Sequence, residues 1–221
     1  VPAAHADRLG ALDRIEGDVG SDAIGFVEST MNYVWRRHLL AALAHSLSMG
    51  EDNGIRTVGF ADLSGFSRIS KSASAEEITE IVEIFETAAF DVVSAHAGRV
   101  VKLIGDEVMF VADSFDDAIE ISLDLISRLR PIEALPPLHC GIATGSTVLV
   151  GGDVFGQTVN LASRLTDQAR PDSVAVTRRD GQHLLDRDDL DVRAPHRSVD
   201  LKGVGRMHIL AIRPLDIDHD V

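Results

Sequence analysis

Apolar positions along this chain recur at two spacings, and the switches between them lay out its elements. Between residues 27 and 47, Met31, Val34, Trp35, Leu39, Ala42, Leu43 and Leu47 return at three- and four-residue steps, which predicts an amphipathic helix. Gly50, Asp52, Asn53 and Gly54 punctuate its end. Residues 57–61 read as a short apolar strand. Ser74 and Glu77 have the spacing of a capping box and open a helix lined by Ile78, Ile81, Val82, Phe85, Ala88, Ala89 and Val92. Gly98 stops that helix. Two apolar runs, 99–104 and 108–112, are split by Gly105-Asp106-Glu107, a hairpin signal. A second helix is expected from about 115 to 130, halted by Pro131, and a strand over 138–144. Beyond these come a helix over about 157–169, a strand at 174–177, and two terminal strands near 192–201 and 207–213.

The first six pieces of the main domain run β-α-β-β-α-β. That order makes the fold class α+β with a ferredoxin-like core, extended at its C-terminal side by a helix and further strands. Residues 1–50 are read as an N-terminal segment and linker helix from an upstream regulatory region, and 51–221 as the main domain. No repeat or low-complexity stretch interrupts it.

Composition then narrows the functional classes. At 45% apolar and 25% charged, the 221 residues can bury a real core. The net charge of −14, with no Lys/Arg cluster, excludes a nucleic-acid footprint. A nucleotide site survives that exclusion, because bound cations supply positive charge locally. Cys140 stands alone, so no intramolecular disulfide can form, and a reducing, cytoplasmic setting is expected. No apolar run approaches the roughly 20 residues a spanning helix needs. The chain begins with Val1, carries no signal-peptide pattern, and reads as part of a longer protein.

Two acidic positions stand out. Asp62 ends the first strand in Phe60-Ala61-Asp62-Leu63-Ser64-Gly65-Phe66, and Asp106 sits in the hairpin turn. If the two strands are neighbours, both carboxylates leave the sheet at one end. Paired carboxylates with open positions suit Mg²⁺ or Mn²⁺, which take hard oxygen ligands and borrow others from phosphates. The Gly65-Phe66-Ser67 backbone leads toward a helix, where amide groups can take a triphosphate. Singly, each aspartate reads first as an ordinary loop or turn residue; it is the two together, flanking apolar strands, that point to a site. Lys102 interrupts an apolar strand, so it is either paired, in a cleft, or on a solvated face. In Asp153-Val154-Phe155-Gly156-Gln157-Thr158-Val159-Asn160-Leu161-Ala162-Ser163-Arg164, Asn160 and Arg164 lie four apart and share a helical face, with an acid and a glycine at the helix entry.

These three segments together resemble the signature blocks of class III adenylyl and guanylyl cyclases, from about Thr57 to Pro214. The resemblance implies that Asp62 and Asp106 hold two divalent cations, Mg²⁺ or Mn²⁺, helped by the Leu63 carbonyl. It implies that the backbone of Gly65, Phe66 and Ser67 holds phosphates and that Lys102 and Asp153 read the purine. A Lys donor and an Asp acceptor suit the N1 and N6 edge of adenine, whereas guanylyl cyclases typically carry Glu and a small or Cys residue there. Asn160 would orient the ribose, Arg164 would stabilise the transition state at the α-phosphate, and Lys202 would contact the triphosphate. The stretch from Gly145 to Asp153 is short, as in a bacterial subgroup with a shortened arm. The implied activity is conversion of ATP to cyclic AMP, at sites shared across a homodimer. Rival readings are a guanylyl cyclase, a diguanylate cyclase suggested by Ile104-Gly105-Asp106-Glu107-Val108, and a silent nucleotide-binding module. The diguanylate reading lacks its first glycine and its phenylalanine here.

Overall fold

The computed structural model describes residues 54–215. The helix expected over 27–47, and the linker read over 1–50, lie outside them. The elements run β1 (Ile55–Leu63), α1 (Phe66–Ile69), α2 (Ala75–Ala95), β2 (Arg99–Ile104), β3 (Glu107–Ala112), α3 (Phe115–Leu129) and β4 (Leu138–Ser146). There follow β5 (Val148–Val150), β6 (Asp153–Phe155), α4 (Gln157–Thr166), β7 (Ser173–Thr177), a 3₁₀ turn (Gln182–Asp186), β8 (Leu190–Arg193), β9 (Val199–Leu201), β10 (Gly205–Met207) and β11 (Ile209–Pro214).

Seven strands form one sheet in the order β2-β3-β1-β4-β7-β11-β8. Its first four strands are the antiparallel βαββαβ core, with β1 between β3 and β4. Strand β7 joins parallel to β4, and β11 and β8 complete the edge antiparallel. Two small hairpins, β5–β6 and β9–β10, stand outside the sheet.

Helices α2 and α3 cover one face. Ser74 caps α2 through the reciprocal bonds of a capping box with Glu77, and Ser114 accepts from the Asp117 amide at the start of α3. Phe85, Val93, Ile119, Ile126, Phe110, Cys140 and Val176 are buried between these helices and the sheet. Gly59 lies opposite Phe110 in register, and a Cβ at Gly59 would fall 2.1 Å from the tip of that ring. The ring therefore occupies the space above the glycine.

Helix α4 lies on the other face, over Phe60, Met109, Ala143, Ala175 and Leu201. It sits close because β4 carries Gly141, where a Cβ would stand 2.2 Å from the Thr166 amide nitrogen and 2.5 Å from the Ala162 carbonyl oxygen. Its first turn is tied to β4 by the Thr158 hydroxyl, which donates to the Ser146 carbonyl at 2.8 Å.

Three expectations are refined. The run 192–201 is two strands, β8 and β9, split by an exposed loop, and 207–213 is likewise shared between β10 and β11. Helix α4 ends at Thr166, short of 169, where Ala169 still bonds back to Leu165 and Thr166 in a tightened turn. The β5–β6 hairpin was not anticipated, because its strands are three residues long and its turn is a Gly151-Gly152 pair with positive φ at both residues.

Candidate active site

Alternation along β1 puts Val58 and Phe60 in the α4-side core, and Asp62 follows them onto that face. Antiparallel register places Glu107 of β3 and His139 of β4 directly beside Asp62, giving a polar row across three strands at one end of the sheet. The β2–β3 turn brings Asp106 to the same place, with Gly105 supplying the left-handed residue at φ 66 that the turn requires. The Leu63 amide donates to the Asp106 carbonyl at 3.2 Å, locking the turn to the end of β1.

The carboxylates perturb one another. Partial burial holds the Asp106 carboxyl above its ordinary range, and the Asp62 carboxylate, within hydrogen-bond reach, adds to the rise. Glu107 is pushed up to about 7, first by burial and then by the charges of Asp62, Asp106 and Asp167. His139 relieves some of this, with Nε2 3.2 Å from Asp62 Oδ2 and Nδ1 2.6 Å from the Ser64 hydroxyl. Carboxylates gathered in this way are of the hard-oxygen type that suits a divalent cation. Among the described residues, no group of three or more His, Cys, Asp or Glu side chains is arranged as a complete ligand set. Asp62 and Asp106 therefore fit as a partial set, to be completed by backbone or substrate oxygens.

Lys102 is neither an unpaired charge nor a solvated one. A bulge between Val100 and Lys102 interrupts the β2–β3 register, so Val101 and Lys102 both reach the α4 side of the sheet. There the ammonium donates to both Asp153 oxygens at 2.8 and 3.0 Å, with side chains 26% and 32% exposed. Phe155, two residues on along β6, presents its ring 5.8 Å from the same ammonium. Asp153 is itself oriented by the Val154 amide at 2.8 Å.

The remaining sequence-selected residues fall as follows. Gly65 adopts φ 80 and opens α1, while Phe66 buries its ring in the core, so only its backbone can meet a ligand. Ser67 is exposed beside it. Asn160 is exposed on α4, and Arg164 one turn later pairs with Asp167 at 2.9 Å. Lys202 is exposed in the turn between β9 and β10, remote in sequence from the other site residues. The structure thus joins Asp62 to Asp106, and Lys102 to Asp153. Sequence reasoning missed Glu107 and His139 as site residues; both are set beside Asp62 by register across the sheet, which no local pattern displays.

Residues 51–213 match the family model for the adenylate and guanylate cyclase catalytic domain. An adenylate cyclase of Streptomyces coelicolor is 45% identical over 157 residues, 69% of this chain and 41% of that protein. One from Streptomyces griseus is 47% identical over 148 residues, 65% of this chain and 37% of that protein. The chain thus spans about two fifths of the length of these curated relatives. Among solved structures, the guanylyl cyclase Cya2 superposes with a TM-score of 0.65 at 22% identity, covering 78% of this chain and 98% of that one.

Proposed function

The chain belongs to the adenylate and guanylate cyclase catalytic-domain family, and from that premise we propose that it converts ATP to cyclic AMP and pyrophosphate. The observation that carries the choice of adenine is the Lys102–Asp153 pair, joined across 51 residues of sequence at 2.8 Å. A cationic donor and an anionic acceptor side by side match the N1 acceptor and N6 donor of adenine, and would present a mismatched edge to guanine. The Streptomyces relatives, both adenylate cyclases by name, favour the same choice.

In the reaction the ribose 3′-hydroxyl gives up its proton to water or a substrate phosphate oxygen, its oxygen attacks the α-phosphorus, the bond from that phosphorus to the bridging oxygen breaks, and pyrophosphate leaves. Asp62 and Asp106, with the Leu63 carbonyl, would hold two divalent cations, Mg²⁺ or Mn²⁺. Bound there, such ions lower the pKa of the 3′-hydroxyl and neutralise charge on the leaving phosphates. The amides of Gly65, Phe66 and Ser67, which precede the first intrahelical bond of α1 from the Arg68 amide to Gly65, would meet phosphate oxygens. Asn160 orients the ribose, and Arg164 presents a planar fork where charge develops at phosphorus. Lys202 reaches the triphosphate from the β9–β10 turn.

We assign the site to a homodimer in which Asp62 and Asp106 come from one subunit and Lys102, Asp153, Asn160 and Arg164 from the other. One feature favours it. The β5–β6 hairpin exposes Val148, Val150 and Phe155, at 46%, 58% and 49%, an apolar surface suited to a second copy. The setting is cytoplasmic and second-messenger signalling the role, with a regulatory region upstream; among the described residues no helix is long and apolar enough to cross a membrane.

The test is complementation. Asp62→Ala and Arg164→Ala each abolish cyclic AMP formation in Mn²⁺, and mixing them restores one complete site per heterodimer. No recovery from demonstrated heterodimers sinks the shared site. Assaying cyclic AMP, cyclic GMP and cyclic di-GMP in the same reactions checks the adenine assignment.

A further inference from the structure

We propose that His139 is a positioning residue for the Asp62 carboxylate, with Ser64 fixing the orientation of its ring. The inference rests on the reading of Asp62 as a cation ligand. Its basis is a chain of contacts that none of the substrate-facing assignments uses. Register pairs Asp62 of β1 with His139 of β4, so the two side chains are nearest neighbours on one face. The imidazole engages on both sides, with Nε2 3.2 Å from Asp62 Oδ2 and Nδ1 2.6 Å from the Ser64 hydroxyl. When the hydroxyl donates to Nδ1, the ring's N–H is on Nε2, the nitrogen that lies beside the carboxylate.

Ser64 is a firm anchor for this purpose. Its amide donates to the Pro137 carbonyl at 2.8 Å, and the preceding Leu63 pairs in register with Leu138, so the backbone on both sides of the ring is held. The need for such an anchor follows from the neighbours of Asp62. Asp106 and Glu107 press negative charge toward the same carboxylate, and left alone it would rotate away from them and from any shared cation. The imidazole, with Nε2 3.2 Å from Oδ2, limits that rotation. Outer hydrogen bonds to ligating groups are worth tenfold to a hundredfold in metal affinity.

A ring 15% exposed could instead serve only to fill space between strands, and the test separates the two roles. Mn²⁺ binding to the full 221-residue chain is followed by the EPR signal of free Mn²⁺, with 3′-deoxy-ATP present as a nucleotide that cannot cyclise. His139→Leu keeps the volume and removes the donor; binding should weaken tenfold to a hundredfold. His139→Gln restores an N–H within reach of Asp62 and should bind within about threefold of the unaltered chain. Ser64→Ala, a small change with little effect on packing, should weaken binding severalfold by releasing the ring. Equal binding by the unaltered chain and His139→Leu overturns the proposal, as does equal weakening in the Leu and Gln variants. If Asp62→Asn binds Mn²⁺ as well as the unaltered chain, the cation reading of Asp62 fails first and takes this one with it.

Discussion

Replacing Glu107 by Gln should stabilise the cation-free protein, and only above acidic pH. Glu107 sits in register beside Asp62 and next to Asp106, and its carboxyl is pushed up from 4.5 to about 7 by burial and by those charges. A folded-state value above the unfolded one means the folded protein holds its proton more tightly. The stabilisation from that proton is complete below about 4.5 and is lost as pH rises through about 7. At about 1.4 kcal/mol per pH unit the rise corresponds to about 3 kcal/mol. The side chain is open to solvent on one side, so screening leaves about 1–2 kcal/mol. Gln keeps the shape and removes the charge. Its melting temperature should match that of the unaltered chain near pH 4.5 and exceed it by about 3–6 °C at pH 8.5. Thermal unfolding by circular dichroism in EDTA, in half-unit pH steps, measures this directly. Adding 10 mM Mg²⁺ at pH 8.5 should shrink the difference if Asp62 and Asp106 hold a cation as proposed, because its charge would offset the repulsion that Gln removes. A difference that is constant across the pH range would refute the reasoning, and so would a Gln variant no more stable at pH 8.5.

Other outcomes follow from separate parts of the molecule. Asp153→Ala should raise KM for ATP at least tenfold and lower the ratio of ATP to GTP turnover, since the remaining Lys102 loses its partner and its orientation; steady-state assays with both nucleotides check it. Gly141→Ala should cost about 3 kcal/mol or more, because the added carbon meets backbone that cannot repack, and it should lower cyclic AMP formation even at temperatures where the variant is folded. Ser74→Ala removes one half of the α2 capping box and should cost about 1 kcal/mol in denaturant unfolding with turnover unchanged. Cys140 is fully buried and its thiol is pushed up to about 12, so a thiol reagent should label it only on the timescale of unfolding.

Much of the architecture was legible because each strand and helix of the core carries its own period. The short apolar runs of β1 and β3 and the three-four spacing of α2 are local signals, and Ser74 and Gly98 mark boundaries within a turn of where they occur. Asp62 and Asp106 could be paired in advance only on the condition that β1 and β3 are neighbours, which the sheet order meets. Other features needed coordinates because they depend on register. His139 and Glu107 take their meaning from the residue across the ladder, and nothing within a window of either one reveals it. The bulge at Val101 is likewise invisible in Arg99-Val100-Val101-Lys102, yet it decides which face Lys102 joins. The β5–β6 hairpin is too short for periodicity to register.

The glycine beneath α4 has a consequence for how this molecule can vary. Most helices rest on a sheet through side chains, which act like springs, so a substitution in one layer shifts the layer above by fractions of an ångström. At Gly141 the helix backbone meets the strand backbone with nothing between them. The contact is a van der Waals stop between two backbones, and it fixes how near the last turns of α4 can come to β4. Changes elsewhere in the core can alter stability without moving that stop, so the distance between helix and sheet is a property of the chain itself at this point and not of the side chains that fill the layer.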